Sequence, residues 1–448
     1  MDDRARGAAW RDAAPWELLR DLAPLDRLGG HAGERRGAER VAMALEEAGL
    51  DARLVPFEMR RWTRGSTTLA VEAGPERSFE AVALPYSPAT DLRAPLRDAG
   101  HGTVEDCADV EGSIAVVDAA APPGADRHVH RMEKLGHAVE AGAEAFVLVG
   151  DQPGQLPPTG ALRFGQPARI PGVGVSMETG AWLREYAARD SEPDSTARLA
   201  VDATTDPAES YNVRADLGPD TDEAVLFVAH HDAHDVGEGV LDNGCGVAVL
   251  LGAVRALADA AGRDSDALGC RVAVAATGSE ELGLLGAEAL ADSLDVDRLR
   301  AVVNVDGAGR FRDLRALVHA ASPLRQAVAA AADGPDPIDV REQPHPWSDH
   351  WPFLRAGVPA LQLHSRRPGE EDWERGYTHT RADTLDKADP RTIREHALLA
   401  AELVTALTRT PVEPVDPDRV RERLVTAGAE PGMRAAGVWP ASWDEHDS

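Results

Sequence analysis

The stretch AVLFVAHHDAHDVGEGVLDNGCGVAVLLGAVRALADA, residues 224–260, decides how the chain is read. Ala224 to Ala229 is an unbroken apolar run, the pattern of a strand covered on both faces. Histidine and aspartate crowd the next turn, and a helix is expected from about Gly244 to Ala260. The same alternation follows downstream: a strand at Arg271 to Ala276, a helix around Leu284 to Ser293 and a strand at Leu299 to Val305. Short loops between such elements indicate an α/β fold with a mixed, mostly parallel sheet flanked by helices. In that architecture functional side chains gather beyond the carboxyl ends of the strands.

Upstream, Glu34 to Glu47 spaces Val41, Ala42 and Leu45 on one helical face, and Gly49 supplies the stop; a strand is expected at Ala52 to Phe57. From about Leu69 to Val201 the texture changes to short β-like runs, Ser113 to Asp118 and Ala145 to Val149, between Pro and Gly clusters, with one helical stretch from Arg131 to Ala141. This reads as an inserted, mostly β domain. The expected divisions are 1–68 as the leading part of the main domain, 69–205 as the insertion, 206–410 as the catalytic part and 411–448 as a peripheral helix with a loose acidic tail. With 448 residues the chain has room for two hydrophobic cores, and no internal repeat is visible.

The 76 acidic residues outnumber the 47 Lys and Arg, for a formal net charge of −29, so nucleic acid and anionic membrane are excluded as expected partners. Lysine occurs only at Lys134 and Lys387, and this acid-rich, lysine-poor surface is one that salt would relieve of self-repulsion. The apolar runs are short of the roughly 20 residues of a membrane span. No export signal is visible in the opening residues, and Cys107, Cys245 and Cys270 lie in widely separated segments. A reducing, cytoplasmic setting is the expectation.

His, Asp and Glu cluster just after the expected strands, in AHHD (229–232), LDNG (241–244), SEE (279–281) and NVDG (304–307), and again in YTHTRAD (377–383). Imidazole and carboxylate donors in this mixture suit zinc, and five converging loops could hold two cations sharing one carboxylate. The order and spacing of these motifs resemble the di-zinc exopeptidases that include bacterial leucyl aminopeptidase, aminopeptidase S and aminopeptidase Y. The inserted EGSIAVVD, AGAEAFVLVG and IPGVGVS segments are similar to a protease-associated domain.

The resemblance implies a zinc exopeptidase fold, peptide substrates and two Zn2+ per chain, acting together. It assigns His230, Asp242, Glu281, Asp306 and His379 as ligands. His230 and Asp306 fall on one ion, Glu281 and His379 on the other, and Asp242 is common to both. Glu280 becomes the general base and Asp232 the carboxylate that orients His230. Asp349 and His350 in SDHWPFLRAGVPAL, and Tyr377, are the candidates for substrate contact.

His231 and His234 stand beside His230 and compete with it; register with Asp232 favours His230, leaving His234 solvated or in an outer position. Cys245 invites a thiolate reading but fits a packed, inert residue at a helix start, and Asp383 is either a helix cap or a partner of the His379 loop. Trp347 and Trp351 line a pocket or pack in a core, and His128, His130 and His137 read as surface residues. A zinc carboxypeptidase or amidohydrolase, and a non-catalytic receptor-like scaffold of the same fold, are the alternatives. The oligomeric state cannot be read from the sequence. If the acidic surface is salt-adapted, helicity measured by circular dichroism falls in salt-free buffer and returns at about 1 M salt, where charges are screened within about 3 Å; full helicity without salt would refute the adaptation.

Overall fold

The apolar run at Ala224–His230 forms a strand buried along its whole length, paired in parallel with Arg271–Thr277 on one side and Leu299–Val305 on the other in a computed structural model of the chain. The structure describes residues 3–72, 76–125, 127, 129–188, 195–319, 324–325, 328, 338–343, 345–367 and 376–444. They divide into two units. The first comprises 1–59, 209–378 and 383–423, and the second 60–208, 379–382 and 424–448.

In the first unit, Ala360–Arg366 continues the parallel core beside Leu299–Val305, and Asp313–Val318 follows antiparallel to it. Asp339–Glu342 lies parallel to Asp313–Val318 at that edge, and residues 213–217 pair antiparallel with Arg271–Thr277 at the other. The sheet is therefore mixed with four parallel strands at its centre, as the apolar, non-alternating runs require.

The helix Cys245–Arg263 is buried over most of its length and packs on Pro390–Arg409 and Ala14–Leu22. Gly252 permits this approach, because a Cβ there would lie 2.8 Å from that of Ala397. The apolar stretch is longer than its unbroken runs suggest. Among the described residues Val240–Arg263 is the one helix long and apolar enough to cross a membrane, and it is mostly buried as the core helix of this unit.

In the second unit Thr90–Asp98, Ile114–Asp118, Ala145–Val149 and Gly172–Val175 run parallel in that order, edged by the antiparallel strand Val82–Ala83 and by residues 196–201. Phe146, Leu148, Val117 and Leu162 lie in its core. Two helices join the expected one at Arg131–Glu140. Met177–Ala187 starts at Ser176, whose hydroxyl accepts the Thr179 N–H at 3.1 Å. Glu430–Ala436 packs on Arg131–Glu140, where Gly136 has no room for a side chain against the Ala435 carbonyl. Trp443 is buried, and of the expected acidic tail only Asp444 and the residues before it are described; Glu445 to Ser448 lie outside the described residues.

The two close-packed glycines next to the SEE loop are testable. Gly286 donates its N–H to the Gly278 carbonyl at 3.0 Å, and a Cβ on Gly286 would come within 2.4 Å of that oxygen and 2.5 Å of Asn212 Oδ1. Gly286→Ala is expected to destabilise the protein by about 1–3 kcal/mol through overpacking, read as a lower midpoint in denaturant.

Candidate metal centre

The carboxyl ends of three neighbouring parallel strands deliver the site. His230 is the last residue of its strand, in register with Thr277, which precedes the SEE loop, and Val305 ends the strand before Asp306. Around His230 Nε2 stand Asp242 Oδ1 at 3.3 Å, Asp306 Oδ1 at 3.8 Å and Glu280 Oε2 at 4.0 Å, with the imidazole 1% exposed. His230, Glu280 and Asp306 form one group whose donor atoms lie close enough to share a cation.

Asp232 does more than face His230. Its two oxygens accept the backbone N–H of Glu280 at 2.9 Å and of Glu281 at 3.1 Å, while His230 Nδ1 lies 3.2 Å from the Asp232 carbonyl and 3.4 Å from Oδ1. The next imidazole, His231, is buried the other way, with Nε2 2.8 Å from the Tyr211 carbonyl. Burial pushes the His231 pKa down, consistent with a neutral ring held by the backbone.

Glu281 meets His234, whose Nε2 lies 2.9 Å from Oε2, both side chains being almost fully buried. Of the two readings of His234, the solvated one is excluded and the outer position beside Glu281 fits, because the turn after Asp232 folds back into the protein. His379 belongs to the second unit, where its backbone has φ of 58° and its Nδ1 lies 3.1 Å from the Thr159 carbonyl.

Several anchors escaped the sequence reading. Arg27 is buried and donates Nε to the His231 carbonyl at 2.9 Å, Nη1 to Glu238 at 3.0 Å and Nη2 to Gly239 at 2.8 Å, tying the two ligand-bearing turns together. Burial lowers its pKa only to about 10, so the guanidinium remains charged beside Asp383 and Asp232. Asp383 accepts the N–H of Leu241 at 2.7 Å and of Asp242 at 3.1 Å, resolving its role as a clamp on the LDNG turn. Asn243 follows a cis peptide bond and donates to the Val305 carbonyl at 2.7 Å, joining that turn to the NVDG loop. Ser348 and Gln362 donate to Asp306 Oδ2 at 2.5 and 3.2 Å. Arg27 and Gln362 have no periodicity or spacing signal; only the fold brings them to their partners.

Of the candidate substrate residues, Asp349 is buried and accepts a short hydrogen bond from Thr277 Oγ1. His350 is buried as well, stacked on His319 with their Nε2 atoms 3.2 Å apart. Tyr377 is 40% exposed with Lys387 over its ring. Trp351 is a core residue, and Cys245 is buried with its thiol free and its pKa raised by burial. His130 is buried too, its Nδ1 accepting the Met132 N–H as a helix cap, contrary to a surface reading; His137 bonds the Gly102 carbonyl, and His128 lies outside the described residues.

The electrostatics favour positive charge around His230. Burial, then the charges of Asp306, Glu281 and Asp349 raise the Glu280 pKa well above the usual carboxylate range, against the lowering effect of His230. Burial alone would depress His230, yet Glu280, Asp232, Asp242 and Asp306 raise it well above its usual value. A ring of carboxylates that favours even an imidazolium at this point fits a bound cation, and oxygen and nitrogen donors fit zinc.

Residues 212–404 match the model of Peptidase family M28, and residues 80–183 that of the PA domain. The catalytic part of the chain, residues 212–404, thus matches peptidase family M28. The chain is accordingly a hydrolase, with the PA domain inserted into the M28 fold. It is similar to Aminopeptidase YwaD of Bacillus subtilis, 26% identical over 394 residues that cover 85% of this chain and 80% of that protein. It also resembles the probable lipoprotein aminopeptidase LpqL of Mycobacterium tuberculosis, 27% identical, covering 73% of this chain and 62% of that protein. The solved structure of BSAP, a zinc aminopeptidase from Bacillus subtilis, superposes with a TM-score of 0.68 at 26% identity, covering 90% of this chain and 94% of that one. A Peptidase M28 precursor from Shewanella amazonensis shares the fold at a TM-score of 0.76 and 22% identity, covering 92% and 98%.

Behind the SEE loop, Glu34 accepts from Ser210 Oγ at 2.5 Å, Ser279 Oγ at 3.1 Å and Gly30 N–H at 2.6 Å. Burial, with the Asp232 charge, still raises its pKa to about 8 against those donors. A folded-state pKa above the unfolded one makes the folded chain bind the extra proton, so stability declines as pH rises from about 4.5 to about 8. In metal-free protein, Glu34→Gln is expected to flatten that decline by up to about 1.4 kcal/mol per pH unit, measured by denaturant titrations across the window.

Proposed function

We propose that this M28 chain is a zinc aminopeptidase that removes N-terminal residues from peptides with two cations and Glu280 as the general base. The observation that carries the reading is the convergence of Asp242, Asp306 and Glu280 on His230 Nε2 within 4.0 Å in a buried site. His230 and Asp306 would hold one cation, Glu281 and His379 the other, and Asp242 both, in the pattern that the family resemblance implies. Bound zinc supplies Lewis acidity and brings the pKa of a water molecule from about 15.7 toward about 7.

The chain's own part follows from its carboxylates. Glu280, with its pKa raised by burial and neighbouring charge, accepts a proton from water and returns it to the leaving amine. Asp232 fixes the Glu280 and Glu281 backbone so that neither carboxylate has to be repositioned during the reaction. Excess negative charge around the site favours a protonated N-terminal amine over a C-terminal carboxylate. The three aminopeptidases named above, one of them described as a zinc enzyme, support the substrate class. We place the enzyme in a reducing, salt-rich cytoplasm; the three free, buried cysteines and the acidic composition support that setting.

Glu280→Ala is expected to retain both zinc ions by elemental analysis while turnover of aminoacyl substrates drops by at least about 100-fold. Undiminished turnover would remove Glu280 from its role. A chelator should abolish cleavage of free aminoacyl peptides, and cleavage confined to N-blocked peptides would overturn the aminopeptidase assignment while leaving the fold intact.

A further inference from the structure

His234 stands outside the ligand set implied by the family resemblance, which takes no residue between Asp232 and Asp242. We infer that His234 is an additional protein ligand of the cation held by Glu281, giving that cation one more imidazole than the implied set contains; the inference rests on the two-cation reading above.

Its Nε2 lies 2.9 Å from Glu281 Oε2, and the side chains are 3% and 4% exposed. Two ligands on one tetrahedral zinc at bond lengths of about 2.0–2.1 Å are separated by about 3.3 Å. The pair, at 2.9 Å, needs to part by only a few tenths of an ångström to seat a cation between them.

Both partners are held on fixed backbone. Ala233 donates its N–H to the Arg27 carbonyl at 3.1 Å, and the Arg27 side chain binds the carbonyls of His231, Glu238 and Gly239, so the turn bearing His234 is anchored on either side. Glu281 is anchored by its N–H on Asp232 Oδ2. A histidine serving only as a neutral packing residue needs neither a carboxylate at contact distance nor a turn stitched at four points.

A simple hydrogen bond from His234 to Glu281 predicts different behaviour from ligation, and metal binding separates the two. Metal-free full-length protein would be titrated with Zn2+ and, separately, with Co2+, whose visible spectrum reports ligand number and type. The unaltered protein is expected to take up two equivalents; uptake of fewer overturns the two-cation reading itself. In His234→Phe one equivalent should bind normally. The other should weaken by more than about 100-fold, beyond the roughly 10–100-fold cost of losing an outer partner, with altered cobalt bands. His234→Asp, which restores a donor, should recover most of that affinity. An unaltered cobalt spectrum in His234→Phe overturns the ligand assignment whatever the affinity does, while two equivalents in the unaltered protein keep the two-cation reading standing. Should His234→Phe fail to fold by circular dichroism, His234→Gln gives the same spectral readout.

Discussion

The Asp232 carboxylate is the constraint on which the centre depends. It is fully buried, and its two oxygens take the backbone N–H groups of Glu280 and Glu281, while the residue's carbonyl lies against His230 Nδ1. One side chain thereby sets the distance between the loop that carries the imidazole and the loop that carries both glutamates. A hydrogen bond to a charged acceptor contributes about 1.5–3 kcal/mol, and an unpaired buried carboxylate costs several, so these two loops cannot separate without exposing a large penalty.

Around this tie the protein has built a frame of buried polar groups that satisfy one another through the backbone. Arg27 binds carbonyls from the His231 and Gly239 turns, Asp383 binds the N–H groups of Leu241 and Asp242, and Asn243 reaches the Val305 carbonyl. Each links two chain segments that are remote in sequence. The frame fixes where negative charge must accumulate, and the carboxylates of Asp242, Glu280 and Asp306 accumulate it around His230. A positive charge or protonation among them relieves the repulsion in such a cluster, so the frame favours a bound cation.

The parts of this design that could be read from the sequence are those with a period or a motif. The buried strand at Ala224–His230 and the helix after Gly244 were evident because uninterrupted apolar residues have few other destinations. The His- and carboxylate-bearing motifs at 229–232, 279–281 and 304–307 stood out because they follow such strands. Arg27 and Glu34 gave no such signal: an isolated charged residue in a loop or at a helix start is ordinarily solvated, and only tertiary pairing buries it. His234 stayed between a solvated and an outer position for the same reason, since a histidine in a Gly- and Asp-rich turn reads as solvent-facing until the turn is seen to fold inward. Met177–Ala187 was missed because its sequence lacks a long apolar stripe and its start depends on the Ser176 cap.

The acidic composition and the centre obey the same electrostatics at two ranges. At contact distance, carboxylates are concentrated in a buried site, where the field is strong and salt screens it little. At longer range the net charge of −29 adds a diffuse negative potential, which draws cations and protonated amines and repels carboxylate-ended or phosphorylated molecules. The long-range part fades as ionic strength rises and the contact part does not. High salt therefore relieves the surface of self-repulsion while leaving the charge around His230 undiminished.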